Sequence, residues 1–154
     1  VIDTNLNGTW YMTQACAKQW VANDKPGCVI NIILDYYRGM PTIAHSAASR
    51  AAVDNLSRTL AVEWSQYKIR VNSVAPGAIE SNGFNQYPKP FLKGFYNSNP
   101  MRELGTVQDI AEGCVYLAAP SGKFITGETL VIDGGGQLWG ETWLTDQPEH
   151  FKPI

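Results

Sequence analysis

Basic clustering is the first thing the sequence lacks. Its lysines and arginines are scattered, and the net charge is −2 over 154 residues. The electrostatic pull that nucleic-acid binding depends on is therefore missing, and no nucleic-acid partner is expected. Cysteine is scarce too: Cys16, Cys28 and Cys114 are far apart, odd in number and each set among apolar residues. That pattern suits reduced core thiols better than disulfides or a metal site, and points to a reducing, cytoplasmic compartment. No apolar run approaches the ~20 residues of a membrane-spanning helix, and no charged-then-apolar leader opens the chain. Neither membrane nor targeting step is expected. A glycine-rich phosphate loop is also missing. The triple glycine Gly134 to Gly136 follows an apolar segment, but no helical pattern opens after it, so a turn is the plainer reading.

What is present describes one globular unit. Hydrophobic residues make up 44% and charged residues 17% of the chain, enough for a single shared core without a disordered tract. Residues 4 to 22 place Leu6, Trp10, Ala15 and Ala17 among polar neighbours and stop at Asn23-Asp24-Lys25-Pro26-Gly27, a helix followed by turn residues. Cys28 to Leu34 is a continuous apolar run of the kind that forms a strand buried on both faces of a parallel sheet. Residues 46 to 66 carry Ala52, Val53, Leu56, Leu60 and Trp64 at helical spacing. Ile69 to Ala75 is a second buried strand ended by Pro76-Gly77, and Val107 to Ala118 is helical in period. Thr129 to Ile132 is a last strand, closed by Asp133 and the glycines. Residues 81 to 100, crowded with Asn, Tyr, Phe, Pro and Gly, read as a substrate lid. Strands alternating with helices imply right-handed crossovers and an α/β fold, a doubly wound parallel sheet. Such a sheet normally begins with a strand, a glycine turn and a phosphate-holding helix N-terminus. Their absence, with a first residue that is not Met, leads us to expect that the N-terminal part of the fold is missing from this chain. Residues 137–154 read as a polar tail.

Five segments then occur in a telling order: Asn5-Leu6-Asn7-Gly8-Thr9, Gly27 to Ile32, Ala51 to Leu56, Ile69 to Gly77, and Ile125-Thr126-Gly127 with Asp133-Gly134-Gly135. Together they resemble the C-terminal half of the short-chain dehydrogenases/reductases, over residues 1–136. His45-Ser46-Ala47-Ala48-Ser49-Arg50-Ala51-Ala52-Val53, followed by Leu60-Ala61-Val62-Glu63-Trp64, resembles the peroxisomal-type trans-2-enoyl-CoA and 2,4-dienoyl-CoA reductases within that family. The resemblance implies a Rossmann-like fold, a nicotinamide cofactor and an oxidoreductase activity.

Most members carry a proton-donating Tyr, a Lys four residues later, a Ser that polarises the substrate carbonyl and an Asn that anchors a water. By resemblance these positions fall here at Ser46, Arg50, Ile33 or Leu34, and Asn5, so three of the four have changed. Arg50 can keep the ribose-holding part of the lysine's role, since a guanidinium donates two parallel hydrogen bonds. It cannot exchange protons at neutral pH. His45 is no substitute for the tyrosine, because one residue turns a helix by ~100°. The proton donor must then lie elsewhere. Asp54, one turn beyond Arg50, is the first expectation, the plain alternative being an i,i+4 ion pair with Arg50. Tyr36 or Tyr37 could be a second phenolic donor, or only packing and lid residues. Asp133 resembles a carboxylate that helps hold the active-site water in dienoyl-CoA reductases, where Asp before Gly could also be a simple turn. Pro76, Gly77 and Ile79 resemble the segment that meets the nicotinamide carboxamide, with Ser81 near a hydroxyl that contacts the cofactor. His150 reads as exposed.

The resulting expectation is a reductase that moves hydride from NADP (or NAD) in its reduced form to the C=C bond of an unsaturated acyl-CoA-like substrate. Phe84, Phe91, Phe95 and Tyr96 of the lid would close over the acyl chain. The rivals are an alcohol or ketone dehydrogenase using Tyr36 or Tyr37, and a non-catalytic relative that binds or assembles. A homo-oligomer, dimer or tetramer, follows from the 46 to 66 helix, which resembles the family element that pairs across a two-fold, with Ala48, Ala51 and Ala52 permitting close approach. Light scattering of the full-length protein should give an oligomer at micromolar concentration; a stable monomer would rule the pairing out.

Overall fold

The computed structural model of the chain describes residues 1–83, 94–138 and 147–153. Helix α1 (Gly8–Ala22) is preceded by a π-helical turn over Asp3–Asn7. Strand β1 (Gly27–Ile32) follows, then α2 (Ala44–Glu63) and β2 (Ile69–Pro76). After the short β3 (Ile79–Glu80) and β4 (Gly105–Thr106) come α3 (Val107–Ala118) and β5 (Thr129–Ile132). The main sheet is parallel in the order β1-β2-β5, with Gly27 opposite Ile69 and Ser73 opposite Thr129.

Strand β2 is central, and its side chains divide between the two layers of helix. Ile69 and Val71 pack with Ala17 of α1 and with Leu60 and Ala61 of α2. Ala75 joins Ile33 and Val53 in a second cluster on the same face. The alternate residues turn to the other side, where the Arg70 guanidinium caps α3 by donating to the Leu117 and Ala118 carbonyls. Burial on both faces holds for β2, whereas β1 and β5 are only partly buried and Ile32 at the end of β1 is exposed. The outer edges of β1 and β5 carry no strand partner among the described residues.

Three features differ from the sequence reading. The β3–β4 pair, joined by Gly105 N–H donating to the Ala78 carbonyl at 3.0 Å, is too short to show any period. It ties the two ends of the lid segment together. Cys16 is exposed rather than a core thiol: Thr13 and Ala17 take the buried stripe of α1, and one residue off that stripe is ~100° around the helix. The C-terminal tail folds back, with His150 Nε2 3.1 Å from the Pro100 carbonyl and Arg102 donating to the Phe151 carbonyl. Phe84 and Phe91 of the expected lid lie outside the described residues, while residues 94–96 are helical.

Within Ile69 to Gly77 the one fully buried amide is Asn72. It donates to the Ile125 carbonyl at 3.0 Å and accepts from Glu128 N–H at 3.0 Å, stapling β2 to the turn that leads into β5. Asn72→Ala would take the acceptor from Glu128 N–H and leave the Ile125 carbonyl with Arg70 as its donor, at a cost of ~1–3 kcal/mol. Urea denaturation of the full-length protein should show a loss of about 2 kcal/mol with an unchanged slope, and a loss under about 0.5 kcal/mol would refute the staple.

Candidate active site

Parallel strands bring their carboxyl ends to one edge, where an open α/β sheet binds its ligands. A cleft of about 430 Å³ lies there. Leu34 and Asp35 after β1, Pro76 and Gly77 at the end of β2, Asp133 after β5, and Phe95 from the lid segment line it. Asp35 N–H donates to the Pro76 carbonyl at 3.1 Å, and Gly77 N–H to the Ile132 carbonyl at 2.9 Å, so backbone pairing continues past the strands to the cleft floor. Position 77 has to be glycine: a Cβ there would come within 2.6 Å of the Asp133 Cα.

Asp133 is held by the glycine turn behind it. Gly134 and Gly135 adopt φ of 63° and 84°, which side-chain-bearing residues rarely take. The turn aims Gly135 N–H at Asp133 Oδ1, 2.8 Å, and Gln137 N–H at Oδ2, 2.6 Å. Those amides therefore serve the chain's own carboxylate, which is why the triple glycine is not a phosphate cradle. Asp35 lies across the cleft. Burial pushes its carboxyl above the usual range, and the neighbouring Asp133 adds to the rise through its charge and a hydrogen bond, while the Tyr37 N–H and the Arg38 charge oppose it.

The other expected residues form two groups outside this cleft lining. Asp54 is 1% exposed and its carboxylate accepts from three donors. Tyr36 Oη donates to Oδ2 at 2.7 Å, Thr129 Oγ1 donates to Oδ1 at 2.5 Å, and Arg58 Nη2 stands 2.9 Å from Oδ2. The i,i+4 partner of Asp54 is thus Arg58 and not Arg50, because Arg50 turns the other way along α2 and donates to the Ile32 carbonyl at 2.8 Å. Tyr36 is pushed up by burial and by its bond to Asp54, which holds its proton on the phenol. Tyr37 is 79% exposed.

Asn5 sits in the π-helical turn, a distortion that recurs at functional sites. Its Nδ2 donates to Ser49 Oγ at 2.9 Å, and Ser49, fully buried, donates to the Ser46 carbonyl at 2.7 Å. This chain of bonds fixes the start of α2 around the position where the tyrosine is lost. Arg50 Nε is buried without a hydrogen-bond partner, a donor left over for something the chain does not supply. Ile79 lies in β3, and Ser81 is exposed just beyond it. Asp35, Ser49, Arg58 and Thr129 were not singled out by the sequence. For Asp35 a signal existed: it is the first charge after an apolar strand run, the place Asp133 holds after β5.

The sequence profile of the enoyl-(acyl carrier protein) reductase family matches residues 1–137. A probable 2,4-dienoyl-CoA reductase [(2E)-enoyl-CoA-producing] of Bacillus subtilis is 37% identical over 153 residues, covering 96% of this chain and 58% of the relative. The peroxisomal 2,4-dienoyl-CoA reductase of Rattus norvegicus is 38% identical, covering 94% of this chain and 49% of the relative. Among solved structures, a 4-hydroxyisoleucine dehydrogenase mutant complexed with NADH and succinate superposes with a TM-score of 0.85 at 30% identity, over 92% of this chain and 59% of that one. The chain therefore spans about half the length of the curated relatives it matches.

The Asp54 cluster makes an asymmetric demand on stability. Arg58 has 58% of its side chain exposed, so Arg58→Ala should cost under about 1 kcal/mol. Asp54→Ala strands two hydroxyl donors as well as the guanidinium and should cost about 2–4 kcal/mol. Chemical denaturation of the two variants checks this, and equal losses would show that the ion pair alone matters.

Proposed function

The chain belongs to the short-chain dehydrogenase/reductase family, and from that premise we propose that the full-length protein transfers hydride from NADPH to the C=C bond of an unsaturated acyl-CoA-like thioester. The observation that carries this reading is the exchange of proton-donating groups between two places. The positions that stabilise an alkoxide in the usual family member hold Ile33 or Leu34 and Ser46, while two carboxyls gather in the strand-end cleft. Reduction at a carbonyl carbon leaves charge on the adjacent oxygen, next to the lost groups. Conjugate addition moves it to a distant thioester oxygen and leaves a carbon to be protonated, a task for an acid placed farther along. A ketone-reductase reading would need Tyr36, whose proton is donated to Asp54, or Tyr37, which is 79% exposed.

The residues present fit a dinucleotide. The unspent Arg50 Nε suits a ribose hydroxyl, and the backbone after Pro76 and Gly77 is open to a carboxamide at the cleft floor. When bound, the reduced nicotinamide supplies the hydride. In this reading Arg50 and Asn5 position that group, through the Ile32 carbonyl and through Ser49 respectively. Ile79 and Ser81 extend the cofactor contact, Phe95 covers the acyl chain, and Asp133 holds the water or acid that protonates carbon. Asp54 and Tyr36 join α2, β5 and the loop after β1 beneath the cofactor, a framework role that its three donors favour over proton transfer. Among the described residues no helix is long and apolar enough to cross a membrane, and the cytoplasmic placement and homo-oligomer belong to the same reading.

Stopped-flow oxidation of NADPH by the full-length protein should be fast with 2,4-dienoyl-CoA or crotonyl-CoA and slow with ketones and sugars. Asp133→Asn should lower turnover by roughly 10²- to 10⁴-fold, the usual worth of a general acid, with NADPH affinity nearly intact. Tight NADPH binding without turnover on any thioester would favour a non-catalytic relative instead.

A further inference from the structure

We infer that the C-terminal tail braces one wall of the cleft, and that Arg102 is the positioning residue through which this brace acts on the substrate. The inference rests on the enoyl-thioester reading for what the wall touches, while the brace itself stands on hydrogen bonds and close approaches. Phe95 and Ser98, near the end of the expected lid, line the cleft. Local bonds give this stretch its shape: Ser98 N–H and Oγ both donate to the Phe95 carbonyl, at 3.1 and 2.6 Å, and Arg102 N–H donates to the Asn99 carbonyl at 3.2 Å. Such bonds form turns, but they do not fix the stretch to the sheet.

Two surfaces hold it from outside. The first is the glycine turn after β5, on which three successive residues lie at close range. A Cβ on Gly134 would come within 2.9 Å of Asn99 Oδ1, one on Gly135 within 2.9 Å of the Pro100 ring, and one on Gly136 within 3.3 Å of the Ser98 carbonyl. Asn99, 2% exposed, is fixed in that seat by donating from Nδ2 to the Glu103 carbonyl at 2.8 Å. The triple glycine is thus a bed for the wall as well as a clamp on Asp133. The second surface is the tail. Arg102 Nη1 donates to Asn97 Oδ1 at 2.5 Å and Nη2 donates to the Phe151 carbonyl, so one planar guanidinium joins wall and tail. His150 Nε2 stands 3.1 Å from the Pro100 carbonyl, which only accepts, so the ring donates from that nitrogen. Arg102 itself holds φ at 58°, a left-handed conformation that residues with side chains rarely adopt, and the grip on both sides of its guanidinium opposes relaxation.

A wall seated on the glycine turn and strapped by the tail keeps Phe95 at a set distance from the cleft floor. In the enoyl-thioester reading Phe95 covers the acyl chain beyond the reacting carbons. The brace therefore acts on the binding of long chains and leaves hydride and proton transfer alone. Loosening it withdraws apolar contact from a ten-carbon chain, whereas a four-carbon chain has little beyond its double bond to lose.

The test compares full-length wild type, Arg102→Ala, Arg102→Lys and a variant without residues 148–153, by hydrogen exchange and by turnover with crotonyl-CoA and a ten-carbon 2,4-dienoyl-CoA. Amides of residues 98, 99 and 102 should exchange at least about tenfold faster in Arg102→Ala and in the shortened variant than in wild type. KM for the ten-carbon thioester should rise at least about fivefold in both, with kcat, KM for crotonyl-CoA and KM for NADPH within about twofold. Arg102→Lys should recover little of either effect, because an ammonium does not span the two acceptors. Should Arg102→Ala fail to fold, the shortened variant, which keeps every residue of the cleft lining, still decides. Unchanged exchange at these amides in the shortened variant overturns the brace. Faster exchange with KM raised equally for the short and the long thioester overturns its part in chain recognition. Wild-type protein that reduces no thioester rejects the enoyl-thioester reading, and the exchange rates still decide the brace.

Discussion

Burial of β2 on both faces is the constraint from which the rest follows. Ile69, Val71, Val74 and Ala75 are at most 3% exposed, and a strand so enclosed must satisfy its backbone through β1 on one side and β5 on the other. Parallel pairing ends β2 and β5 at one level, Pro76 opposite Ile132, and main-chain bonds from Ile33 and Asp35 carry the chain after β1 up to the same level. The edge so formed receives Asp35 three residues past β1, Gly77 directly after β2 and Asp133 directly after β5. The cleft is a product of sheet geometry before it is a product of any loop.

Helix α2 fixes the position of the site relative to the sheet, and it does so with polar groups. Arg50 reaches the end of β1, Asp54 reaches β5 and the loop after β1, and Ser57 accepts from buried Asn31 within β1 at 2.8 Å. Successive turns of one helix face are thus spent on aligning three elements. Apolar contact alone would leave the helix free to slide, since dispersion is weakly directional, whereas a buried carboxylate with three donors has one acceptable place. The expected proton donor, Asp54, is also the residue on which Tyr36, Thr129 and Arg58 converge. The sequence shows that a charge occurs at helical spacing from Arg50, but not that Arg58, another turn on, competes for it with better geometry.

Much of the fold was legible because periodicity survives in a single chain. The α2 and α3 helices, the three main strands and their order along the chain all follow from apolar spacing and turn residues, with boundaries displaced by up to three residues. What was not legible has short range or long partners. The two-residue strands β3 and β4 have no period to read. Asn72 looked like one polar residue in a buried strand until its partners at Ile125 and Glu128, more than fifty residues away, gave it a reason. Cys16 looked buried among apolar neighbours because sequence adjacency does not say which side of a helix a residue takes. In the site, Asp133 and Pro76-Gly77 were visible through resemblance, while Asp35 was hidden because its chemistry depends on a partner nearly a hundred residues on.

The loss of the family's Ser and Tyr and the presence of two facing carboxyls bear on one another through water. A phenol near a positive group can be tuned to give up a proton at neutral pH, and Tyr36 is tuned the opposite way, toward keeping it, by burial and by Asp54. A lone exposed carboxyl is a poor acid at that pH because it has already ionised. Partial burial works in the other direction, because ionising a carboxyl that has lost part of its water costs more. Asp35 moves that way, raised first by burial and further by the neighbouring Asp133. The sign for stability follows. A carboxyl whose folded-state pKa is raised binds its proton more tightly in the native chain, so its contribution is present at low pH and is lost as pH rises through the raised value. The pH window in which Asp35 gives up its proton is therefore also the window in which that stabilisation is lost, so its ionisation and the local stability of the cleft are two readings of one equilibrium.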